Sequence, residues 1–221
     1  MTDSYFITGT DTGVGKTLVS CALLHAFAAR GRKVIGMKPV AAGRENNKWM
    51  DVDLLMAAST VSAPSKLVNP YALIPPLAPH IAAMQANIEI DLAVIQRSYA
   101  ELQKNAELVI VEGSGGFLVP LNNKNDGADL ARILNLPVIL VVGLRLGCLN
   151  HALLTAQAVR VNKLPLAGWV ANAIDQPMLA QKENIKALEE RLNCPLLGVI
   201  PFAKDMDLKN ISKLLDIRKL T

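Results

Sequence analysis

Aromatic residues, paired cysteines, long apolar runs and blocks of like charge are all scarce in this sequence, and each shortage removes a class of protein. Phe, Trp and Tyr make up 4% of the 221 residues. With aromatics so few, the abundant Ala, Leu, Ile and Val suit helices packed on a buried parallel sheet. The three cysteines, Cys21, Cys148 and Cys194, are odd in number and far apart. They suggest buried free thiols, neither a disulfide framework nor a C-x-x-C metal site. No tract approaches the run of about 18 apolar residues that spans a bilayer. Met1-Thr2-Asp3-Ser4 lacks the basic and apolar regions of a secretory signal, so a cytoplasmic location is expected. The formal charge of +4 is spread along the chain without a long basic block. Nucleic acid is not called for, and a mild positive excess equally suits a site for phosphates and carboxylates.

What the chain does have is apolar mass and a Gly-rich turn near its start. With 51% hydrophobic residues it can bury a substantial core, expected as one α/β domain over 1–221. The apolar run Tyr5-Phe6-Ile7-Thr8 enters Gly9-Thr10-Asp11-Thr12-Gly13-Val14-Gly15-Lys16-Thr17, and an amphipathic stretch follows over 18–29. Strand, phosphate loop and helix are the expected elements. Backbone N–H groups of such a loop and the open helix start point at anionic oxygens, Lys16 adds a mobile charge, and Thr17 can ligate Mg²⁺. The expected ligand is a nucleoside triphosphate. The alternative is a plain strand-to-helix turn, but three glycines, a Lys and a Thr in this order weigh against it. The loop is still a variant: G-x-x-x-x-G-K-[ST] needs Gly at position 10, where Thr stands, and Gly9 comes one residue early.

Later strand ends supply further polar residues. Lys33-Val34-Ile35-Gly36-Met37 predicts a second strand, leaving Lys38 at its carboxyl end before Pro39, on the edge where open α/β sheets bind ligands. A solvated charge is the plain alternative for Lys38. Helix is expected over 50–58, with Asp51 as N-cap and Asp53 in the first turn, or either reaching a nucleotide-bound Mg²⁺. The four prolines between Val68 and His80 predict an irregular surface connection, with His80 capping a short helix over 81–84. Helix over 91–106 leads to Leu108-Val109-Ile110-Val111, which ends in Glu112-Gly113-Ser114-Gly115-Gly116. That carboxylate is placed to face the nucleotide metal or merely ends the strand. A helix over 128–134 precedes the buried-type strand 137–142. Gly147-Cys148-Leu149-Asn150, before a helix over 152–161, offers a second anion-binding geometry or a plain turn. The strand 166–172 ends in Asn172, whose amide can meet a purine edge. A helix over 178–192, a last strand over 196–200 and the exit Pro201-Phe202 complete a doubly wound, mainly parallel sheet of about seven strands with helices on both faces. The basic tail, 208–219, suggests a terminal helix docked on the domain, or else a membrane-surface helix.

Gly9-Thr10-Asp11-Thr12-Gly13-Val14-Gly15-Lys16-Thr17, Lys38-Pro39-Val40, Val111-Glu112-Gly113-Ser114-Gly115-Gly116, Gly147-Cys148-Leu149-Asn150-His151 and Gly168-Trp169-Val170-Ala171-Asn172 together resemble the ATP-dependent dethiobiotin synthetase family. The resemblance runs from first strand to last and implies a P-loop fold and a homodimeric ligase of biotin synthesis, acting on 7,8-diaminononanoate, CO₂ and MgATP. It implies catalytic roles for Lys38, Lys16 and Thr12, and Mg²⁺ ligation by Thr17, Asp53 and Glu112. It implies a nucleotide site of Gly13, Val14, Gly15, Lys16, Thr17, Leu18, Asp53, Glu112, Gly113, Ser114, Gly115, Asn172, Ala173, Pro201 and Phe202. Ala42 would face the substrate, and Gly147, Cys148, Leu149 and Asn150 would bind its carboxylate from the partner subunit.

Two positions depart from some members of the family: Gly13 replaces a Glu, and Ala42 a hydroxyl residue. The competing class is a dimerising ATPase switch of the Min/Par kind, which would use the tail on a membrane or its surface on DNA. Such switches place a further Lys early in the loop, where this chain has Thr10 and Asp11. A cobyrinate-type amidotransferase synthetase would need an additional glutamine-hydrolysing domain.

Overall fold

A computed structural model of the chain describes residues 4–175, 178–202 and 207–220. In chain order the elements are β1 (Tyr5–Gly9), α1 (Lys16–Ala28), β2 (Val34–Met37), β3 (Val40–Ala42), α2 (Met50–Ala58), α3 (Ser65–Val68), β4 (Tyr71–Leu73), α4 (Pro79–Gln85) and α5 (Leu92–Gln103). They continue with β5 (Leu108–Glu112), α6 (Gly127–Ile133), β6 (Val138–Leu144), α7 (Cys148–Val161), β7 (Leu166–Ala173), α8 (Gln181–Leu192), β8 (Leu196–Ile200) and α9 (Leu208–Ser212), then a 3₁₀ turn (Ile217–Lys219).

Six strands form one parallel sheet in the order β2-β5-β1-β6-β7-β8. Alternation along the strands explains the layers, because successive side chains leave opposite faces. Leu108 and Ile110 of β5, with Ile139 and Val141 of β6, join the cluster under α1 and α9. Val109 and Val111 point the other way, into the cluster containing Ile95 and Leu102 of α5. Leu140 and Val142 meet Ala152 and Ala156 of α7 and Leu188 of α8. Both faces are therefore covered, as continuous apolar strands require. All six strands end on one edge, and β1, with chain crossovers leaving to either side, lies in the middle of it.

Expectation and structure differ in strand count and at several boundaries. The doubly wound sheet is present, but with six strands in the main sheet and β3 and β4 paired in a separate two-stranded parallel ribbon. The Pro-rich stretch thus is not wholly irregular: its prolines flank Tyr71–Leu73, where backbone donors are free to pair with β3. His80 does not cap α4; Ala78 is its N-cap and Pro79 occupies the first turn. The α7 helix begins four residues earlier than the pattern suggested, since Gly147 at φ 93 supplies the left-handed residue from which Cys148 turns into helix.

The tail docks on its own domain. Ile211, Leu215 and Ile217 are buried in the cluster that holds Val19 and Leu23 of α1. Ile211→Ala is therefore expected to cost about 2–5 kcal/mol of unfolding free energy. Urea denaturation reads this directly, and an unchanged midpoint would return the tail to the membrane-surface alternative.

Candidate active site

The phosphate loop bridges the end of β1 and the start of α1. Its turns place Gly13 at φ 74 and Gly15 at φ 91, torsions that glycine adopts without strain. Gly9 is explained by crowding, not by torsion: a Cβ there would lie 2.6 Å from Val14 Cγ2 and 3.1 Å from Lys16 Cγ. A Cβ on Gly15 would come within 2.2 Å of Asn172 Nδ2. Asn172, at the end of β7, donates that amide hydrogen to the Val14 carbonyl at 2.8 Å and braces the loop from behind. Lys16 curls back over the loop, its Nζ donating to the Asp11 carbonyl at 2.9 Å.

Strands β2 and β5 bring the other charges. Their register pairs Met37 with Val111, so Lys38 and Glu112, each the next residue, leave the edge side by side. Lys38 Nζ donates to Glu112 Oε1 at 2.6 Å and meets Asp51 Oδ2 at 3.0 Å. The Thr17 hydroxyl donates to the same Glu112 oxygen at 2.8 Å. Lys38 is further fixed through its backbone: its carbonyl accepts from Asn69 Nδ2 at 2.6 Å and its N–H donates to Val68 O. Lys38 and Glu112 are 4% and 1% exposed, so neither charge is solvated. Glu112 Oε2 is buried without a hydrogen-bond partner. An orphaned carboxylate oxygen is costly unless another group completes it.

The electrostatics follow from that burial. Desolvation alone would lower the Lys38 pKa, but Glu112 and Asp51 raise it above the ordinary value, so Lys38 stays charged. Burial would raise the Asp51 carboxyl, and Lys38, Thr17 and Lys16 outweigh it, holding Asp51 below the usual range. Lys16 fares differently: desolvation and the neighbouring Lys38 charge bring it down to about 8.

These groups open onto a cleft of about 650 Å³. Thr12, Gly13, Gly15, Lys16, Thr17, Lys38, Ala42, Asp51, Glu112, Ser114 and Gly115 line it, with Pro76, Leu77, Ala78 and Pro79 closing one side. Asp53, expected as a metal ligand, is not among them. It lies exposed on α2, because two residues of helix rotate it about 200° away from Asp51. Asp51 is the carboxylate that faces the site, and it is not the N-cap of α2, which is Trp49. Val14 is buried in the loop's underside, and Leu18 packs against the α1 side of the core. Gly113 closes on Phe6, where a Cβ would meet Phe6 Cζ at 3.0 Å. Asn172 pairs in register with Ile200, so Ala173, Pro201 and Phe202 leave adjacent strands behind the loop, outside the cleft. Gly147, Cys148, Leu149 and Asn150 form the first turn of α7 and do not line it either. The Leu77-Ala78 wall had no chemical signature in the sequence; only its proline-rich loop marked it.

A family model described as AAA domain matches residues 3–210. The chain is 62% identical over 220 residues to an ATP-dependent dethiobiotin synthetase BioD from Nitrosospira multiformis, covering 100% of this chain and 97% of that one. A protein of the same description from Aromatoleum aromaticum is 52% identical over 208 residues, 92% of each chain. Among solved structures, the septum site-determining protein MinD complexed with Mg-ADP from Pyrococcus horikoshii superposes with a TM-score of 0.59 at 16% identity, over 99% of this chain and 89% of that one. The signal recognition particle receptor FtsY from Elizabethkingia anophelis gives 0.56 at 14% identity, over 96% and 65%. At such identities the structural likeness concerns the P-loop fold alone.

Two outcomes follow from this geometry. A triphosphate stabilises charged Lys16, so its binding takes up protons near pH 8, and affinity falls as pH rises through that value. Calorimetry in buffers of different ionisation enthalpy measures the uptake, which Lys16→Met abolishes. If a metal-bound nucleotide occupies this cleft, Asp51→Asn is expected to weaken its affinity by about tenfold or more, as loss of a charged hydrogen-bonding group would, while Asp53→Asn leaves it unchanged.

Proposed function

The chain belongs to the ATP-dependent dethiobiotin synthetase family, and on that premise we propose that it uses ATP to join CO₂ and 7,8-diaminononanoate into dethiobiotin, a step of biotin synthesis, releasing ADP and phosphate. The observation that carries the site assignment is the buried Lys38, held between Glu112 and Asp51 on the strand edge beside Lys16.

The chemistry begins when one substrate amine attacks CO₂ and loses a proton, giving a carbamate. A carbamate oxygen attacks the γ-phosphorus and ADP leaves. The neighbouring amine then attacks the carbonyl carbon of the mixed anhydride, expelling phosphate and closing the cyclic urea. Phosphorylation is needed because an unmodified carbamate oxygen leaves poorly. Lys38 and Lys16 hold the carbamate and the transferring phosphoryl by charge, and the Gly13, Gly15 and Thr17 backbone cradles the phosphates. Thr12 lies over the reacting end, and Gly115 lets the phosphates approach the backbone closely.

Mg²⁺ fits the donor set. Thr17, Asp51 and Glu112 offer hard oxygens, and Glu112 Oε2 wants a partner. Held by Thr17, Asp51 and Glu112, Mg²⁺ would supply positive charge against the negative charge developing in the transfer. Asn172 keeps its amide oxygen and a second hydrogen for a purine edge, and Ala173, Pro201 and Phe202 stand beside it to flank the base.

The same reading makes the protein a single-domain cytoplasmic homodimer. Ala42 would face the diamine, and Gly147, Cys148, Leu149 and Asn150 would hold the substrate carboxylate of the partner's site. This accounts for their absence from the cleft of their own chain. No helix among the described residues is long and apolar enough to cross a membrane.

Incubating protein, Mg²⁺, ATP, bicarbonate and 7,8-diaminononanoate is expected to give the cyclic urea by mass; nucleotide binding without that product contradicts the proposal. Lys38→Gln keeps an amide donor beside Glu112, so that carboxylate is not stranded. It is expected to lower turnover by about 100-fold or more with nucleotide affinity little changed. Turnover surviving in that variant removes Lys38 from the chemistry.

A further inference from the structure

The two halves of the phosphate loop are anchored differently. The rear half is held by buried groups: Asn172 on the Val14 carbonyl and Thr17 on Glu112. The front half, Thr10 to Thr12, is held from β6 and the turn that follows it. Thr10 N–H donates to the Val141 carbonyl at 3.0 Å, and Gly143 N–H donates to Thr10 Oγ1 at 3.4 Å. The last link is Asp11. One carboxylate oxygen accepts from Thr12 N–H at 2.7 Å, and the other accepts from the Arg145 guanidinium at 2.5 Å. The Asp11 carbonyl is also the acceptor for Lys16 Nζ. A single residue thus sets the Thr12 backbone and the resting place of the Lys16 ammonium, and Arg145 sets that residue.

We propose that Asp11 and Arg145 are positioning residues for phosphoryl transfer: their ion pair clamps the front of the phosphate loop so that Thr12 and Lys16 face the reacting end of the cleft. This role rests on the phosphoryl-transfer chemistry proposed for the site. The pair is 49% and 44% exposed at its side chains, so it contributes little to stability. Its effect is geometric. Thr12 lies across from Gly115, where a Cβ would sit 3.7 Å from Thr12 Oγ1, and both residues line the cleft with Lys16. Releasing Asp11 frees the Thr12 side of that opening while the rear cradle stays in place. Arg145 suits the task because its planar fork reaches across from β6 in a fixed orientation. The sequence presented Asp11 only as part of an unusual loop and gave Arg145 no role.

The test is steady-state kinetics on the full-length protein with Arg145→Ala, Arg145→Lys, Asp11→Asn and the Asp11→Asn/Arg145→Ala double variant. Asparagine keeps an oxygen for Thr12 N–H and removes only the charge that Arg145 grips. Arg145→Ala and Asp11→Asn are expected to lower kcat by about tenfold to a hundredfold, the loss that small misplacement of reacting groups produces. The KM for ATP stays within about threefold, because the rear cradle is intact. Thermal unfolding midpoints remain unchanged, Arg145→Lys recovers most of kcat, and the double variant is no slower than the slower single one, since both break one link. Unchanged kcat in Arg145→Ala, losses confined to KM, or additive losses in the double variant overturn the proposal. If the unsubstituted protein turns over and Arg145→Ala matches it, the positioning role alone fails. If the unsubstituted protein makes no cyclic urea, the functional reading fails and this proposal with it.

Discussion

The 2.6 Å bond between Lys38 and Glu112 is the constraint around which the site is built. Two opposite charges, each almost wholly removed from water, persist only as a close pair with further hydrogen bonds around them. That requirement reaches back into the fold. β2 and β5 must be neighbours, and in the register that sets Met37 opposite Val111, or the two side chains would not meet. Asp51 must then turn inward from α2, and Thr17 from α1, to complete the same cluster.

The cluster also sets the charge of the cleft. Lys16 and Lys38 balance Asp51 and Glu112, all four of which line it. Lys16 is the unsettled member, its proton loosened by burial and by Lys38. In the proposed reaction phosphate oxygens would supply the negative charge it lacks, and a hard cation held by Thr17, Asp51 and Glu112 would supply the positive charge a triphosphate needs. The loop glycines serve the same end: Gly9 and Gly15 are small because Val14, Lys16 and Asn172 occupy the space their side chains would fill.

Much of this was legible in the sequence, for physical reasons. Strand ends carrying Lys38, Glu112 and Asn172 stood out because a polar residue after a buried apolar run has one edge to face. The phosphate loop was read from glycines that only backbone torsion and close approach require. Asp51 and Asp53 could not be separated in this way: both open the same short helix, and only its rotational phase, set by Val52 and Leu55 packing inward, decides which carboxylate faces Lys38. The Tyr71–Leu73 strand was hidden by its flanking prolines, and its pairing with Val40–Ala42 is a tertiary fact. The pairing of Asp11 with Arg145, 134 positions apart, likewise exists only once β1 and β6 lie side by side.

The fold alone does not separate this chain from MinD and FtsY, and in the proposed reaction what sets it apart is a carbamate that receives the phosphoryl group. Oxygen tracing tests that most directly. With ¹⁸O-labelled CO₂ supplied faster than it exchanges with water, the carbamate oxygen that attacks ATP leaves with phosphorus when the ring closes. Activation of the carbamate by ATP therefore requires one ¹⁸O in the released phosphate for each cyclic urea formed. Unlabelled phosphate accompanying labelled cyclic urea would show that ATP does not activate the carbamate, and would contradict the role of Lys16 and Lys38 in holding it for the transfer.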